Sequence, residues 1–394
     1  MLGKQGSYTQ VRSRTVFRPI RYILGFIILL SVTDIFVTVL TGRSRVFLFF
    51  PTISLTSIHY SFLRPRIASC NESGCWQHST FNADDIFPVF LPKCYPDGLL
   101  GKINPDKRNA TETVLNMTAS QLDPTGSWKP SDCQAKEKLA VIIPFRDRAE
   151  HLKIFLVNYH PIFQRQQLDY TVFVVEQNGT TTFNKGVLLN AGFLEAQKAG
   201  RYTCFIFHDV DLLPEQDNNM YHCSAQPRHL SVAVDKFNYT LPYKQLIGGA
   251  SAFTVEQYTK VNGYSNSYWG WGGEDDDLMK RVELSDYEIN RPAAESARYT
   301  MIKHEHDARN PENPMATKLL EVTHKRMLKD GLNNVEYRLL DLQQRHLYTW
   351  LLVDVGENRM KNITLVGLSN SRRFPVQHSG TERRRNLPRI TSNG

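Results

Sequence analysis

Cysteine is scarce in this sequence, six among 394 residues, and none of the six falls into metal-binding spacing, which excludes a cysteine-built metal scaffold. Missing too is any recognition motif in which aromatics interleave with the basic residues. Lys and Arg number 47 against 39 Asp and Glu, a net charge of +8, yet much of the excess sits in the N-terminal tail and in the run from Arg372 to Arg389. A solvated tail accounts for it, and nucleic acid is excluded as a partner. Apolar runs of membrane-crossing length are rare as well: Tyr22 to Leu40 is the one.

That run is about long enough to cross a bilayer, and Lys4, Arg12, Arg14, Arg18 and Arg21 precede it. Asp34 costs about 2 to 3 kcal/mol at a bilayer centre, and less near the far end of the run where it stands. No small-residue cleavage site follows, so the segment reads as an uncleaved signal anchor. Basic residues are denser before it than after it, where Arg43 and Arg45 stand. This predicts a cytosolic tail (1–21), a span (22–40) and type II topology, with the rest of the chain across the membrane.

Sequons begin at Asn71, Asn109, Asn116, Asn178, Asn238 and Asn362, all downstream of the span as a lumenal face requires. The cysteines suit the same oxidising compartment. Cys204 and Cys223 bracket Asp209-Val210-Asp211 and could staple it, while Cys94 and Cys133 flank the start of the globular region. Cys70 and Cys75 either close a small stem loop or pair between chains, and both readings stay open.

The order expected along the chain is a stem (41–93), a lead-in (94–133), a catalytic domain (134–355) large enough for one sizeable core, and a disordered basic tail (356–394). Within the domain, Leu139 to Phe145, Tyr170 to Glu176 and Cys204 to His208 read as buried strands. A helical pattern runs from Ala149 toward Tyr159, and another from Asn184 to Ala199. The βαβαβ alternation implies parallel pairing, with ligands gathered beyond the carboxyl ends of the strands. Arg146, Arg148, Asp209 and Asp211 all fall there.

Trp269-Gly270-Trp271-Gly272-Gly273-Glu274-Asp275-Asp276-Asp277 is the most concentrated chemistry in the chain. Four adjacent carboxylates repel one another, so a fold that keeps them together must supply a cation, hydrogen-bond donors or a polar ligand. Indole faces suit sugar rings, and a carboxylate within reach of a hydroxyl can act as a general base, which points to a sugar-handling enzyme. Asp209 and Asp211 stand two residues apart at a strand end, where they can face a divalent cation or the diphosphate it carries. Arg146 and Arg148 can bind phosphate bidentately. His304, with His306 close by, is a candidate imidazole ligand for Mn²⁺ or a similar ion.

These segments resemble the β-1,4-galactosyltransferase family of Golgi glycosyltransferases, and within it the invertebrate N-acetylgalactosaminyltransferase members. The resemblance runs from about Cys94 to Val355. It is carried by Pro144-Phe145-Arg146-Asp147-Arg148, Phe183-Asn184-Lys185, Asp209-Val210-Asp211, Gln226-Pro227-Arg228-His229, Asp235-Lys236-Phe237, Trp269 to Asp277, and Met301 to His304. It implies a GT-A fold, Rossmann-like with a mainly parallel sheet, a UDP-sugar donor and an inverting reaction dependent on Mn²⁺.

The implied metal ligands are Asp211, Met301 and His304; only the resemblance nominates the thioether. It also implies UDP contacts at Pro144, Phe145, Arg146, Arg148, Asp209, Val210 and Lys236, with Gly273 and Trp271 also on the donor side. Asp275 becomes the catalytic base, Glu274, Asp276, Tyr243 and Trp271 meet the acceptor, and the disulfides become Cys94 to Cys133 and Cys204 to Cys223. Trp271 is expected on a loop that closes over the donor.

Two departures refine the expectation. Leu246 stands where galactosyltransferases place a tyrosine that crowds the sugar C2 substituent, so UDP-GalNAc is expected as donor, with UDP-Gal as the alternative. Ala316, Thr317 and Leu320 replace residues around the acceptor N-acetyl group, while retained Tyr243 and Glu274 to Asp276 favour terminal GlcNAc on glycoproteins or glycolipids. A noncatalytic carbohydrate-binding or scaffolding protein is the reading from another class. The expected setting is the Golgi membrane, with the catalytic domain lumenal and a homodimer or accessory subunit as possible company.

Overall fold

The computed structural model describes residues 91–356 apart from Asn109 and His306. The expected span at 22–40, Cys70, Cys75, Asn71, Asn109, Asn362, His306 and the tail beyond Gly356 lie outside the described residues. Among the described residues no helix is long and apolar enough to cross a membrane.

The elements in chain order are α1 (Glu112–Ala119), β1 (Ser127–Trp128), β2 (Lys138–Phe145), α2 (Ala149–Arg165), β3 (Asp169–Gln177), α3 (Lys185–Ala199), β4 (Cys204–His208), β5 (Leu212–Pro214), β6 (Arg228–His229) and β7 (Ala233–Val234). They continue with β8 (Ala250–Thr254), α4 (Val255–Lys260), α5 (Glu274–Leu284), β9 (Arg298–Met301), α6 (Ala316–Glu321), α7 (Thr323–Arg326), β10 (Arg338–Arg345) and β11 (Tyr348–Asp354).

The large sheet runs β10-β11-β3-β2-β4-β8-β6, with β1 paired to β3. Pairing is parallel for β11–β3, β3–β2 and β2–β4. It is antiparallel for β4–β8, β8–β6, β10–β11 and β1–β3. The sheet is therefore mixed rather than mainly parallel. The βαβ alternation legible in the sequence covers only β2 to β4. Beyond them, β10 and β11 are joined by a short hairpin, which only antiparallel strands allow, and β8 runs antiparallel to β4 after a long excursion.

Strand β2, KLAVIIPF, is buried along almost its whole length, as a central strand covered on both faces must be. Its alternate residues feed two cores. Leu139, Val141, Ile143 and Phe145 pack with Leu152, Phe155, Tyr159 and Phe163 of α2, whereas Ala140 and Ile142 pack with Val187, Leu188, Ala191 and Phe193 of α3. A Cβ at Gly192 would lie 2.5 Å from Ile142, so α3 sits close on the sheet only because that position is glycine. Pro144 lies beyond the β4 ladder, which ends at Ile142–Phe207, and its missing N–H leaves no gap there.

Helix α2 runs to Arg165, past the Tyr159 limit read from the sequence, with Pro161 inside it. Burial of Ile162 and Phe163 outweighs the lost hydrogen bond. Helix α3 starts where Asn184 caps the Val187 N–H at 2.9 Å, while the Asn184 N–H is itself held by the Gln177 side chain. Cys94–Cys133 and Cys204–Cys223 are disulfide-bonded.

A second, small sheet, β5-β9-β7, lies beside the strand ends. Its register sets Leu212 opposite Met301, and the Ile302 N–H donates to the Asp211 carbonyl at 2.7 Å. Residues about ninety positions apart in sequence are thereby made neighbours.

Candidate active site

The segment Asp209-Val210-Asp211 leaves the end of β4, and the small sheet brings the residues after β9 against it. Asp211 Oδ2 lies 2.9 Å from His304 Nε2, and His304 Nδ1 lies 2.9 Å from the Glu305 carbonyl oxygen. A carbonyl only accepts, so Nδ1 carries the hydrogen and the Nε2 lone pair of a neutral ring faces a carboxylate oxygen. Two acceptors facing each other require a cation between them or a second proton on the ring. The hydrogen bond to Asp211 accordingly holds the imidazole above its ordinary pKa. A carboxylate oxygen facing an imidazole nitrogen suits a divalent metal, and the register of the small sheet sets the Met301 backbone opposite Leu212, next to Asp211.

Asp235 fixes that strand: its carboxylate accepts from the Thr300 hydroxyl at 2.7 Å and the Met301 N–H at 2.9 Å. Lys236 follows on an exposed 3-10 turn, Asp235–Phe237.

The four carboxylates of the acidic run go three ways once α5 forms. Gly273 provides the left-handed turn that starts the helix, at φ 94°, and a Cβ there would lie 2.7 Å from Tyr268 and 2.9 Å from Ala316. Glu274 and Asp275 meet Lys185 at the start of α3, with Nζ 3.4 and 3.3 Å from their oxygens and 3.1 Å from Asp209. Asp276 accepts from the half-exposed Tyr243 hydroxyl at 2.8 Å. Asp277 turns inward to fully buried Arg281, 2.6 Å away, and to Arg326 at 2.7 Å.

Burial opposes the Lys185 charge, but Asp209, Asp275 and Glu274 outweigh it and hold the ammonium well above its usual range. Burial also pushes the Asp209 and Glu274 carboxyls up, with neighbouring carboxylates adding to the effect. Glu274 Oε2 is buried without a hydrogen-bond partner among the described residues. Tyr264 donates to the second Asp275 oxygen at 3.5 Å.

Sequence reasoning asked for a cation against the acidic run without selecting one. Lys185, quoted only within a motif, is that cation, and nothing in the local sequence singled it out. Also missed was Gly248, where a Cβ would stand 2.5 Å from Asp275 Oδ2, so backbone approaches the candidate base closely.

The Arg146 guanidinium is taken up within the protein, bonded to the Thr181 carbonyl at 2.5 Å and Asp307 at 3.2 Å and lying over Phe183. Arg148 stands at the start of α2, while Pro144, Phe145 and Val210 are buried around the strand ends. Trp271 is 57 % exposed, and its backbone pairs with Pro311 and Asn313. Leu246 is half-buried on the segment leading to Gly248. Asn116, Asn178 and Asn238 are exposed.

A family model described as the N-terminal region of glycosyl transferase group 7 matches residues 95–224, and one described as the N-terminal domain of galactosyltransferase matches 228–305. Human β-1,4-galactosyltransferase 1 is 50 % identical over 231 residues, 59 % of this chain and 58 % of the relative. Its mouse counterpart is 50 % identical over 272 residues, 68 % of each. β-1,4-Galactosyltransferase 2 of Cricetulus griseus is 45 % identical over 299 residues, 73 % of this chain and 79 % of the relative. The catalytic domain of Drosophila β-1,4-galactosyltransferase 7, solved with xylobiose, is 31 % identical with a TM-score of 0.49, covering 56 % of this chain and 94 % of that one. This chain belongs to the β-1,4-galactosyltransferase family.

Proposed function

We propose that the chain is an inverting glycosyltransferase that moves a hexose from a UDP-sugar to the 4-hydroxyl of terminal GlcNAc on glycoproteins or glycolipids, at the lumenal face of the Golgi membrane. The observation that carries this reading is the convergence at Lys185, which holds Asp209 of the strand end and Glu274 and Asp275 of α5 beside the Asp211–His304 pair. Asp275 takes the proton of the acceptor hydroxyl, whose oxygen forms the new bond at the anomeric carbon as the bond to the diphosphate breaks and its electron pair leaves with UDP. Attack opposite the leaving group inverts the centre. Asp211, Met301 and His304 would hold Mn²⁺, which when bound neutralises charge on the departing diphosphate. The buried Glu274 Oε2 is supplied with a donor when a sugar hydroxyl enters.

The similar proteins named above are galactosyltransferases, which makes UDP-Gal the first donor to consider, against the expectation from Leu246 alone. UDP-GalNAc is the second reading, favoured by that apolar side chain where the galactosyltransferases place tyrosine. Initial rates with the two donors, a GlcNAc-terminated acceptor and Mn²⁺ separate the readings. The Leu246→Tyr variant should move the donor ratio toward UDP-Gal by about tenfold or more if the side chain meets the C2 substituent. Activity with neither donor would overturn the proposal.

A further inference from the structure

Arg291 lies outside the catalytic cluster, directly after Asn290, which bridges to Arg228 at β6. Its Nη2 is 2.9 Å from the carbonyl oxygens of both Lys244 and Leu246, and its Nε is 3.3 Å from His229 Nδ1. His229 Nε2 in turn is 3.0 Å from the Gly248 carbonyl oxygen. That carbonyl can only accept, so Nε2 bears the ring hydrogen and Nδ1 presents a lone pair, which is what an arginine Nε–H requires. The two side chains thus hold three alternate carbonyls of one short segment. Burial and the neighbouring guanidinium keep His229 neutral, so this pattern of donors and acceptors persists at working pH.

The segment is the one that carries Leu246 and brings Gly248 against Asp275. A cavity of 280 Å³ is lined by Lys244, Gln245, Met279, Glu283 and Tyr287 together with Arg291 itself. Buried Ile247 anchors the middle of the segment in the core, while at Lys244 and Leu246 the hydrogen bonds to Arg291 hold the backbone beside the cavity. We infer that Arg291 is a positioning residue for donor choice: through the Lys244 and Leu246 carbonyls and through His229 it sets the distance of Leu246 from the donor sugar. This rests on the reading of Leu246 as the residue that meets the sugar C2 substituent.

The test compares full-length protein in detergent with its R291M, R291K and L246Y variants. It measures kcat and KM for UDP-Gal and UDP-GalNAc, with UDP affinity determined by calorimetry. In R291M the ratio of kcat/KM between the donors should change by about tenfold, chiefly through KM, while UDP binds within roughly twofold of the parent; R291K should recover part of the ratio. A ratio moved by L246Y but unmoved in UDP-binding R291M overturns the role of Arg291 alone. A ratio unmoved by either overturns the Leu246 reading and this inference with it. Should R291M not bind UDP, R291K decides, since it keeps the charge but not the two-pronged contact: an altered ratio supports the role and an unaltered one overturns it.

Discussion

Asp275 shares its two carboxylate oxygens between the Lys185 ammonium and the Tyr264 hydroxyl, which fixes the group while leaving lone pairs for an acceptor hydroxyl. An asparagine has the same shape and cannot take a proton. Asp275→Asn should therefore lower kcat by about 10²- to 10⁴-fold while UDP affinity stays near that of the parent. Transfer near the original rate would remove Asp275 from the role of base. The acidic run was legible because four carboxylates in a row beside two tryptophans make an improbable structural turn, while only the family resemblance singled out Asp275 within it. The role of Lys185 was not legible, because a single lysine after Phe183-Asn184 says nothing until the folded chain brings it within salt-bridge distance of residues ninety positions away.

Helix α5 converts a run of identical charges into distinct tasks, since successive side chains point about 100° apart around the axis. All four sit in its first turn, where the helix dipole favours negative charge. Asp277 is the structural member: it accepts from Tyr268 at 3.0 Å and Thr323 at 2.7 Å besides pairing with Arg281 and Arg326. Asp277→Ala should cost about 3 to 5 kcal/mol in chemical denaturation, because it strands buried positive charge. Asp276→Ala, one residue earlier, should cost less than about 1 kcal/mol and act on acceptor KM instead. Equal destabilisation by the two would refute this division of labour. Sequence periodicity placed α3 and the β2 to β4 strands closely, but followed α2 only toward Tyr159, because only the folded core shows what Ile162 and Phe163 gain by burial beyond Pro161.

Proton uptake on unfolding belongs to the whole molecule, and the buried histidines set part of it. His160 accepts from the Tyr170 hydroxyl at 2.8 Å and donates to the Leu347 carbonyl at 2.9 Å, and burial depresses it to about 4. The unfolded side chain titrates near 6.5, so this histidine contributes stability that is fully present above that pH and lost as pH falls toward about 4. Asp209 and Glu274, held up by burial, act in the opposite sense, since the folded chain retains protons that the unfolded chain releases as pH rises. The His160→Gln variant isolates the histidine contribution. Its stability deficit relative to the parent should shrink as pH is lowered from 7 to 4.5, by up to about 3 kcal/mol, and a gap constant across that range would refute the assignment.

Local patterns in the sequence determined the strand and helix alternation, the acidic run, the Asp209–Asp211 pair and, through the motifs they form, the family. Each depends on residues near in sequence or on spacing set by backbone geometry. Tertiary structure alone decided that the sheet is mixed, that Lys185 is the cation among the carboxylates, that Met301 stands beside Asp211, and that Arg291 and His229 hold the segment carrying Leu246. Those outcomes depend on contacts between distant segments, and burial, register and charge pairing fix them only once the chain has closed on itself.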